Sequence, residues 1–377
     1  MTTPETDVLI VGGGPAGLSA AIAARQRGLR VLVADVAKPP IDKACGEGLM
    51  PDSLEALGRL GVTLDDVPTG EFRGIRFVGP SSSVEARFPN GVGRGIRRTI
   101  IHETLINRAA KLGAQFAWET RVQASKDGVT LDGQQVRYKW LVGADGHDSR
   151  IRRFAGLDAG GAYERRIGLR CHFEVKPWSE FVEIYWGDDL QAYVTPIASD
   201  QVCVAVIARE RPESFEAAIA QFPTLVKHLT GRPVHTTVKG ALTVSRRLPG
   251  VTSGRVALIG EASGSADAIT GEGLAMCFRQ ALALGTAFAN NDLSIYEREH
   301  RKIMNLPQLM GWAMLLMDKS AWIRARALRA LATQPSIFDR MLSVHVGAVP
   351  PFRFGVDTAI RFGWQMLTAK EKTCPAE

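Results

Sequence analysis

One segment near the start constrains this chain more than any other. Asp7 to Val11 is an apolar run that passes directly into Gly12-Gly-Gly-Pro-Ala-Gly17, and the alanine-rich stretch Leu18 to Gln26 follows, with Gly28 as its stop. This reads as strand, tight turn and helix. In the GxGxxG spacing Gly12 makes the turn, Gly14 lets the backbone approach a pyrophosphate, and Gly17 lets the helix pack closely on the strand. The helix N-terminus then faces the phosphates. A second apolar run, Arg30 to Ala34, ends in Asp35, where a carboxylate accepts hydrogen bonds from both ribose hydroxyls. No second GxGxxG exists, so the sequence predicts one dinucleotide site.

Composition narrows the class. At 377 residues, 45% apolar and 23% charged, the chain is expected to fold into two or three packed units. The 46 basic residues against 39 acidic give +7, read as dispersed, with no basic block. That predicts weak attraction for anionic ligands or surfaces and no nucleic-acid partner. Five cysteines, at 45, 171, 203, 277 and 374, are odd in number and form no CxxC pair. Neither a disulfide framework nor a metal site is expected, and a reducing cytoplasm fits. No secretory signal is read, and Trp312 to Met317 is too short an apolar stretch to span a bilayer.

Two later segments identify the dinucleotide. Leu141-Val-Gly-Ala-Asp-Gly146 follows a strand-like run and leads to Ser149 and Arg152 in a helical turn. Arg255-Val-Ala-Leu-Ile-Gly260-Glu-Ala-Ser-Gly264, continuing to Thr270-Gly-Glu-Gly-Leu274, is again strand, acidic turn, glycine-rich loop and helix. With these three motifs in order, the chain resembles the FAD-dependent oxidoreductases of the aromatic-hydroxylase and geranylgeranyl-reductase superfamily over essentially its whole length. The resemblance implies FAD, with NADH or NADPH as hydride donor. It places Gly12, Gly14, Pro15, Ala16, Gly17 and Asp35 on the adenosine diphosphate, Asp145 and Gly146 at both cofactors, and Gly260 and Glu261 at the ribityl chain. Gly271, Glu272, Gly273 and Leu274 would lie beside the flavin, their helix N-terminus stabilising negative charge near N1. Arg98 matches an arginine close to the cofactor, or is a surface charge. Val122 matches a backbone contact to adenine, or is core. Two positions depart from the pattern: Glu261 replaces the usual Asp, and Ala268 the usual flavin-facing Pro.

The turn-rich loop Pro39-Pro-Ile-Asp-Lys-Ala-Cys45-Gly46-Glu-Gly48 passes the flavin face in this superfamily. Its Cys45-Gly46 pair and the Thr270-Gly-Glu-Gly273 run resemble the geranylgeranyl-reductase branch. Cys45 is a candidate for substrate contact or proton donation, or is a small buried hydrophobe. Two reactions stay open. Monooxygenation proceeds through a flavin C4a-hydroperoxide and needs a dry pocket; double-bond reduction returns a hydride from flavin N5 while an acid supplies the proton. Hydroxylation stands slightly ahead, because Tyr193-Val-Thr-Pro196 matches the reductases' substrate motif only in part, and the overall look is also that of natural-product flavoenzymes. A halogenase lacks its usual paired-tryptophan motif, and a non-catalytic flavin-binding protein is the remaining alternative.

The expected fold class is therefore α/β (α+β overall): a Rossmann-like FAD-binding domain, discontinuous over 1–75, 98–160 and 251–300, with an inserted mainly antiparallel β-sheet substrate domain over 76–97 and 161–250. Strand-like runs Ile167 to Val175, Phe181 to Trp186, Gln191 to Pro196 and Val202 to Ala208 build that sheet, and Tyr185, Tyr193 and Pro196 are candidate pocket residues for a hydrophobic small molecule. Residues 301–377 read as a C-terminal helical segment broken at Pro307, Pro335 and Pro350-Pro351. Its basic stretch Ile323 to Arg329 suggests a lid, or a peripheral membrane or partner contact.

Overall fold

The computed structural model describes residues 5–80, 82–126 and 128–368; Cys374 lies outside them. Its first sheet has the spatial order Thr252–Ser253, Val256–Leu258, Arg137–Gly143, Glu5–Val11, Val31–Ala34, Gln115–Ala117. All pairs are parallel except the edge hairpin at Thr252–Ser253. Val8, Leu9, Ile10, Leu141 and Val142 are buried on both faces, as strands of a parallel sheet between helices must be. Helices Pro15–Arg25, Arg98–Lys111 and Gly273–Ala289 cover one another beside it. Small residues let them approach: a Cβ at Gly285 would stand 3.1 Å from that of Ala23.

The second sheet has seven strands, ordered Lys239–Arg246, Ala162–Glu174, Gln201–Ala208, Leu190–Pro196, Val182–Trp186, Gly74–Val78, Ser83–Arg87. It is antiparallel apart from the parallel pair Val182–Trp186 with Gly74–Val78. A small sheet of Gly48–Leu49, Gly93–Gly95 and Gly70–Phe72 ties the Cys45 loop to this layer. The mixed α/β class read from the sequence is the one observed.

The C-terminal part is helical, with one correction. Leu293–Lys319 runs through Pro307 without a break. Met304, Pro307 and Gly311 form a buried stripe, and Gly311 packs onto Thr270 and Asp267, so tertiary contact outweighs the lost backbone bond. Chain breaks do occur at Pro335, which opens Pro335–His345, and at Pro350-Pro351 ahead of Val356–Thr368.

Buried ion pairs join these layers. Arg166, on the strand Ala162–Glu174, bonds Asp267 at 3.1 Å and Asp318 at 2.5 Å; Asp318 also accepts from Arg209 at 2.9 Å. Both carboxylates and the Arg166 guanidinium are nearly water-free. Arg166→Met leaves two buried carboxylates short of their main counter-charge and should cost about 3–5 kcal/mol. Urea titration reads this directly, and a loss below about 1 kcal/mol would show that Arg209 alone compensates them.

Candidate functional site

A cavity of about 730 Å³ runs from the glycine-rich turn to the seven-stranded sheet. Its first half is built by backbone. Gly12 (φ +112°) sits so close to the next strand that a Cβ would stand 2.2 Å from the Ala144 carbonyl, and a Cβ at Gly17 would stand 1.9 Å from the Gly12 carbonyl. Gly17 thus packs helix on strand and stands behind the cavity wall. Gly14 is different: nothing lies within 4 Å of where its Cβ would project. It caps a helix that begins at Pro15 and has no side-chain cap, so the first N–H groups are left for a ligand.

Two side chains brace this turn. Asp35 accepts from the Gly13 N–H at 2.6 Å and from the Ala37 N–H at 2.8 Å. His102 donates from Nε2 to the Gly13 carbonyl at 2.8 Å, and burial holds its pKa below the ordinary value, so it stays neutral. His102 carries no sequence signal, being one polar residue on the helix Arg98–Lys111.

The other expected cofactor residues converge on the same cavity. Val122, Asp145, Gly146, Arg98, Gly260, Glu261, Gly271, Gly273 and Leu274 all line it, with Cys45 and Gly46. Asp145 accepts from Ser149 Oγ (2.5 Å) and the Arg150 N–H (2.7 Å), so its carboxylate stabilises the turn. Gly260 (φ +64°) meets the Ala16 methyl, and a Cβ there would come within 2.6 Å. Both Glu261 oxygens bond Lys43 Nζ at 2.8 Å, a strap from the Cys45 loop across 218 residues that has no local signal. Arg98 Nε is buried without a partner. The helix Gly273–Ala289 opens without a side-chain cap.

Glu272 departs from the expected placement: it is absent from the lining, and its carboxylate is buried near Asp52, Arg279 and His345. Burial, with Asp52 second, raises its pKa to about 8.

The Cys45 loop is held from beneath. Glu47 adopts φ +58° and is buried; its carboxylate accepts from the Arg98 N–H at 2.8 Å, His172 Nε2 at 2.7 Å and Arg170 Nη1 at 3.3 Å. Arg170 also grips both oxygens of Asp42 at 2.7 and 2.9 Å. Cys203 lies alongside Glu47 and His172, with ligand-type atoms of the three within 4.8 Å of one another; Arg170 already brings positive charge to this cluster. Cys45 itself lines the cavity, with Sγ accepting from the Glu47 N–H at 3.4 Å.

The far half is floored by the sheet. Ile75, Leu169, Val182, Ile184, Ala205 and Ile207 line it, with Gly168 leaving open space and Tyr193 donating from its hydroxyl to the Ile269 carbonyl at 2.8 Å. Tyr185 points to the opposite face, packs on Phe222 and donates to Glu183 at 2.7 Å. Pro196 is outside the lining; its carbonyl packs against Gly95. Of the three candidate substrate residues only Tyr193 reaches the cavity.

Two outcomes follow. Gly14→Val fills open space, so it should leave the fold intact while cutting FAD occupancy of the purified protein at least about tenfold; unchanged FAD absorbance would remove Gly14 from the cradle. Between the ordinary carboxylate range and about pH 8, folded Glu272 holds a proton that the unfolded chain has released. Stability therefore falls as pH rises through that window, by up to about 1.4 kcal/mol per unit. Glu272→Gln should flatten the decline in urea midpoints, and an unaltered slope would assign the shift to another group.

Comparison with known proteins agrees with this geometry. Residues 5–291 match the model of the FAD binding domain family. The menaquinone reductase of Mycolicibacterium smegmatis is 28% identical over 299 residues, covering 72% of this chain and 73% of that protein. The digeranylgeranylglycerophospholipid reductase of Methanosarcina acetivorans is 26% identical over 299 residues, covering 71% of each. Among solved structures, a flavoprotein/dehydrogenase from Cytophaga hutchinsonii superposes with a TM-score of 0.79 at 19% identity, over 96% of this chain and 99% of that one. An open glycine cradle, two uncapped helix N-termini and the matched family model agree: the chain belongs to the FAD binding domain family and is a flavin-dependent oxidoreductase.

Proposed function

We propose that the protein uses NADH or NADPH to reduce carbon–carbon double bonds in a polyprenyl lipid. The observation that carries this is the chemistry of the cavity's far half. Among the described residues the sheet contributes mainly aliphatic side chains, with Tyr193, Thr195 and Thr243 as its polar members. Burial drives that tyrosine's pKa far above its ordinary value, and its hydroxyl is already spent on the Ile269 carbonyl. Hydroxylation next to a phenol gains from a base that draws charge onto the ring; the carboxylate at this end of the cavity, Asp267, is already held by Arg166 and Ser245. An isoprenoid chain asks only for apolar walls. Two relatives that each match over about seven tenths of their length are named as reductases, which supports the same choice over the hydroxylation that stands slightly ahead on sequence.

In this reading residues 1–75, 98–160 and 251–300 hold FAD, while 76–97 and 161–250 floor the substrate site. Gly12, Gly14, Pro15 and Ala16 receive the pyrophosphate, Asp35 the ribose and Val122 the adenine; Asp145, Gly146, Gly260 and Glu261 follow the ribityl chain. Bound FAD supplies a two-electron carrier between nicotinamide and alkene. The N-terminus of Gly273–Ala289 places its positive end where charge accumulates on reduction. Cys45 Sγ stands on the loop between the two halves and delivers a proton to the alkene carbon, the other carbon taking the electron pair with its hydrogen. Glu47, through Arg98, His172 and Arg170, fixes the height of that loop.

An anaerobic experiment tests this. Protein reduced with NADPH or NADH is mixed with digeranylgeranylglycerophospholipid or menaquinone without air. The yellow oxidised absorbance should return and the lipid gain two hydrogens per turnover by mass spectrometry. Cys45→Ser should keep FAD and slow that return by about 10²-fold or more. Inert lipids, together with oxygen insertion into an aromatic substrate once air is admitted, would overturn the reading in favour of hydroxylation.

A further inference from the structure

Charge and exposed apolar surface coincide in one part of this protein. Residues 301–368 hold nine Lys and Arg against three Asp, which is +6 of the chain's +7. The charge that reads as dispersed along the sequence is therefore concentrated in the C-terminal helices. The same segment carries eight of the twelve large hydrophobic residues exposed among the described residues: Leu309, Trp312, Leu316, Trp322, Phe352, Ile360, Trp364 and Leu367. Trp312, Trp322 and Trp364 are each more than 60% exposed, whereas Trp140 and Trp186 are buried and Trp118 and Trp178 half-buried.

Their spacing is helical. Leu309, Trp312 and Leu316 fall at i, i+3 and i+7 on Leu293–Lys319; Ile360, Trp364 and Leu367 fall at i, i+4 and i+7 on Val356–Thr368. The helix Ala321–Thr333 packs against both, and Arg326 lies over the Trp322 ring while donating to the Met366 and Leu367 carbonyls. Basic side chains are interleaved: Lys319, Arg353 and Arg361 are exposed beside Leu316, Phe352 and Ile360. These helices also pack behind residues of the cavity wall. Gly311 packs on Thr270, and Met314, Met317 and Phe362 pack against the cluster that contains Tyr193, Ile184 and Ile269.

We propose that the C-terminal helices form an in-plane docking face for an anionic lipid bilayer, with Trp312, Trp322 and Trp364 entering the headgroup–acyl boundary and the arginines and lysines meeting lipid phosphates. No helix of the described residues is long and apolar enough to cross a membrane, so the contact is with one leaflet. Tryptophans at the level of basic residues are the composition of a membrane interface. A second copy of the chain is the weaker occupant, because two faces each carrying exposed Arg340, Arg353 and Arg361 repel. The face lies on the helices that pack behind the apolar end of the cavity. The docking is separate from the reaction proposed above: vesicles lacking any reducible chain suffice, so the two readings fail independently.

The test floats FAD-loaded protein with phosphatidylglycerol–phosphatidylcholine vesicles. The protein should float with them at low salt and be released as salt rises, since the Debye length shrinks from ~10 Å at 0.1 M to ~3 Å at 1 M. The triple variant Trp312→Ala, Trp322→Ala, Trp364→Ala should lose about tenfold or more of the bound fraction with unchanged FAD absorbance. Should that variant fold poorly, quenching of the unaltered protein's tryptophan fluorescence by brominated acyl chains reads the same insertion. Protein that stays unbound and unquenched, a triple variant that floats like the wild type, or a solution dimer that the triple variant splits would each overturn the proposal.

Discussion

Everything in the site depends on how one strand carries two buried arginines. Along Ala162–Glu174 the alternate positions Arg166, Gly168, Arg170 and His172 share a face. Arg166 is fixed by Asp267 and Asp318, and Arg170 by Asp42 and Glu47. Burying a guanidinium is unfavourable unless its hydrogen bonds are met by charges that cannot move away. Each arginine therefore pins segments from other elements: the loop before the second uncapped helix, the long C-terminal helix, and the Cys45 loop. Between them Gly168 contributes no side chain, and the space it leaves is cavity.

That arrangement explains which parts of the protein were legible in the sequence. The glycine-rich turn, Asp35 and the two acidic turns are local: their spacing along the chain is their spacing in space, and they line one cavity with Arg98 and Cys45. The strands of the second sheet were readable from apolar runs and turn residues. Which way each residue points was not. Val182 to Trp186 is buried at all five positions, because the sheet is covered on both sides, so alternation disappears and Tyr185 and Tyr193 look alike. Glu47, His102, Arg170 and His172 act across separations of 51 to 128 residues, and single polar residues in apolar runs carry no mark of their partner. Pro307 was misread for the same reason, since a buried stripe formed by distant segments holds its helix together.

The cavity is also divided electrically. Its cofactor half collects two helix N-termini, Arg98 and Lys43, all favourable to a pyrophosphate and to a flavin that gains electrons. Its sheet half is mainly aliphatic, with Tyr193, Thr195 and Thr243 among the lining. A substrate that is apolar along its length can lie only in the second half, and the Cys45 loop runs along the boundary between them. Polarity thus changes along the cavity, where the walls pass from carbon to charge. Gly14 and Glu261 define one side of that boundary, Ile184 and Ile207 the other.

The overall charge takes on a different meaning in this frame. A cofactor with a pyrophosphate is already met by backbone dipoles and two cations within the cavity, and residues 1–300 are close to neutral as a whole. Basic residues gathered on the C-terminal helices do nothing for that cofactor at such a distance, because exposed charges beyond a Debye length are screened. Their effect is confined to whatever approaches the outer surface. They lie among exposed tryptophans on helices that pack behind the apolar half of the cavity, while the buried Arg166 and Arg170 pairs hold the segments of its walls together.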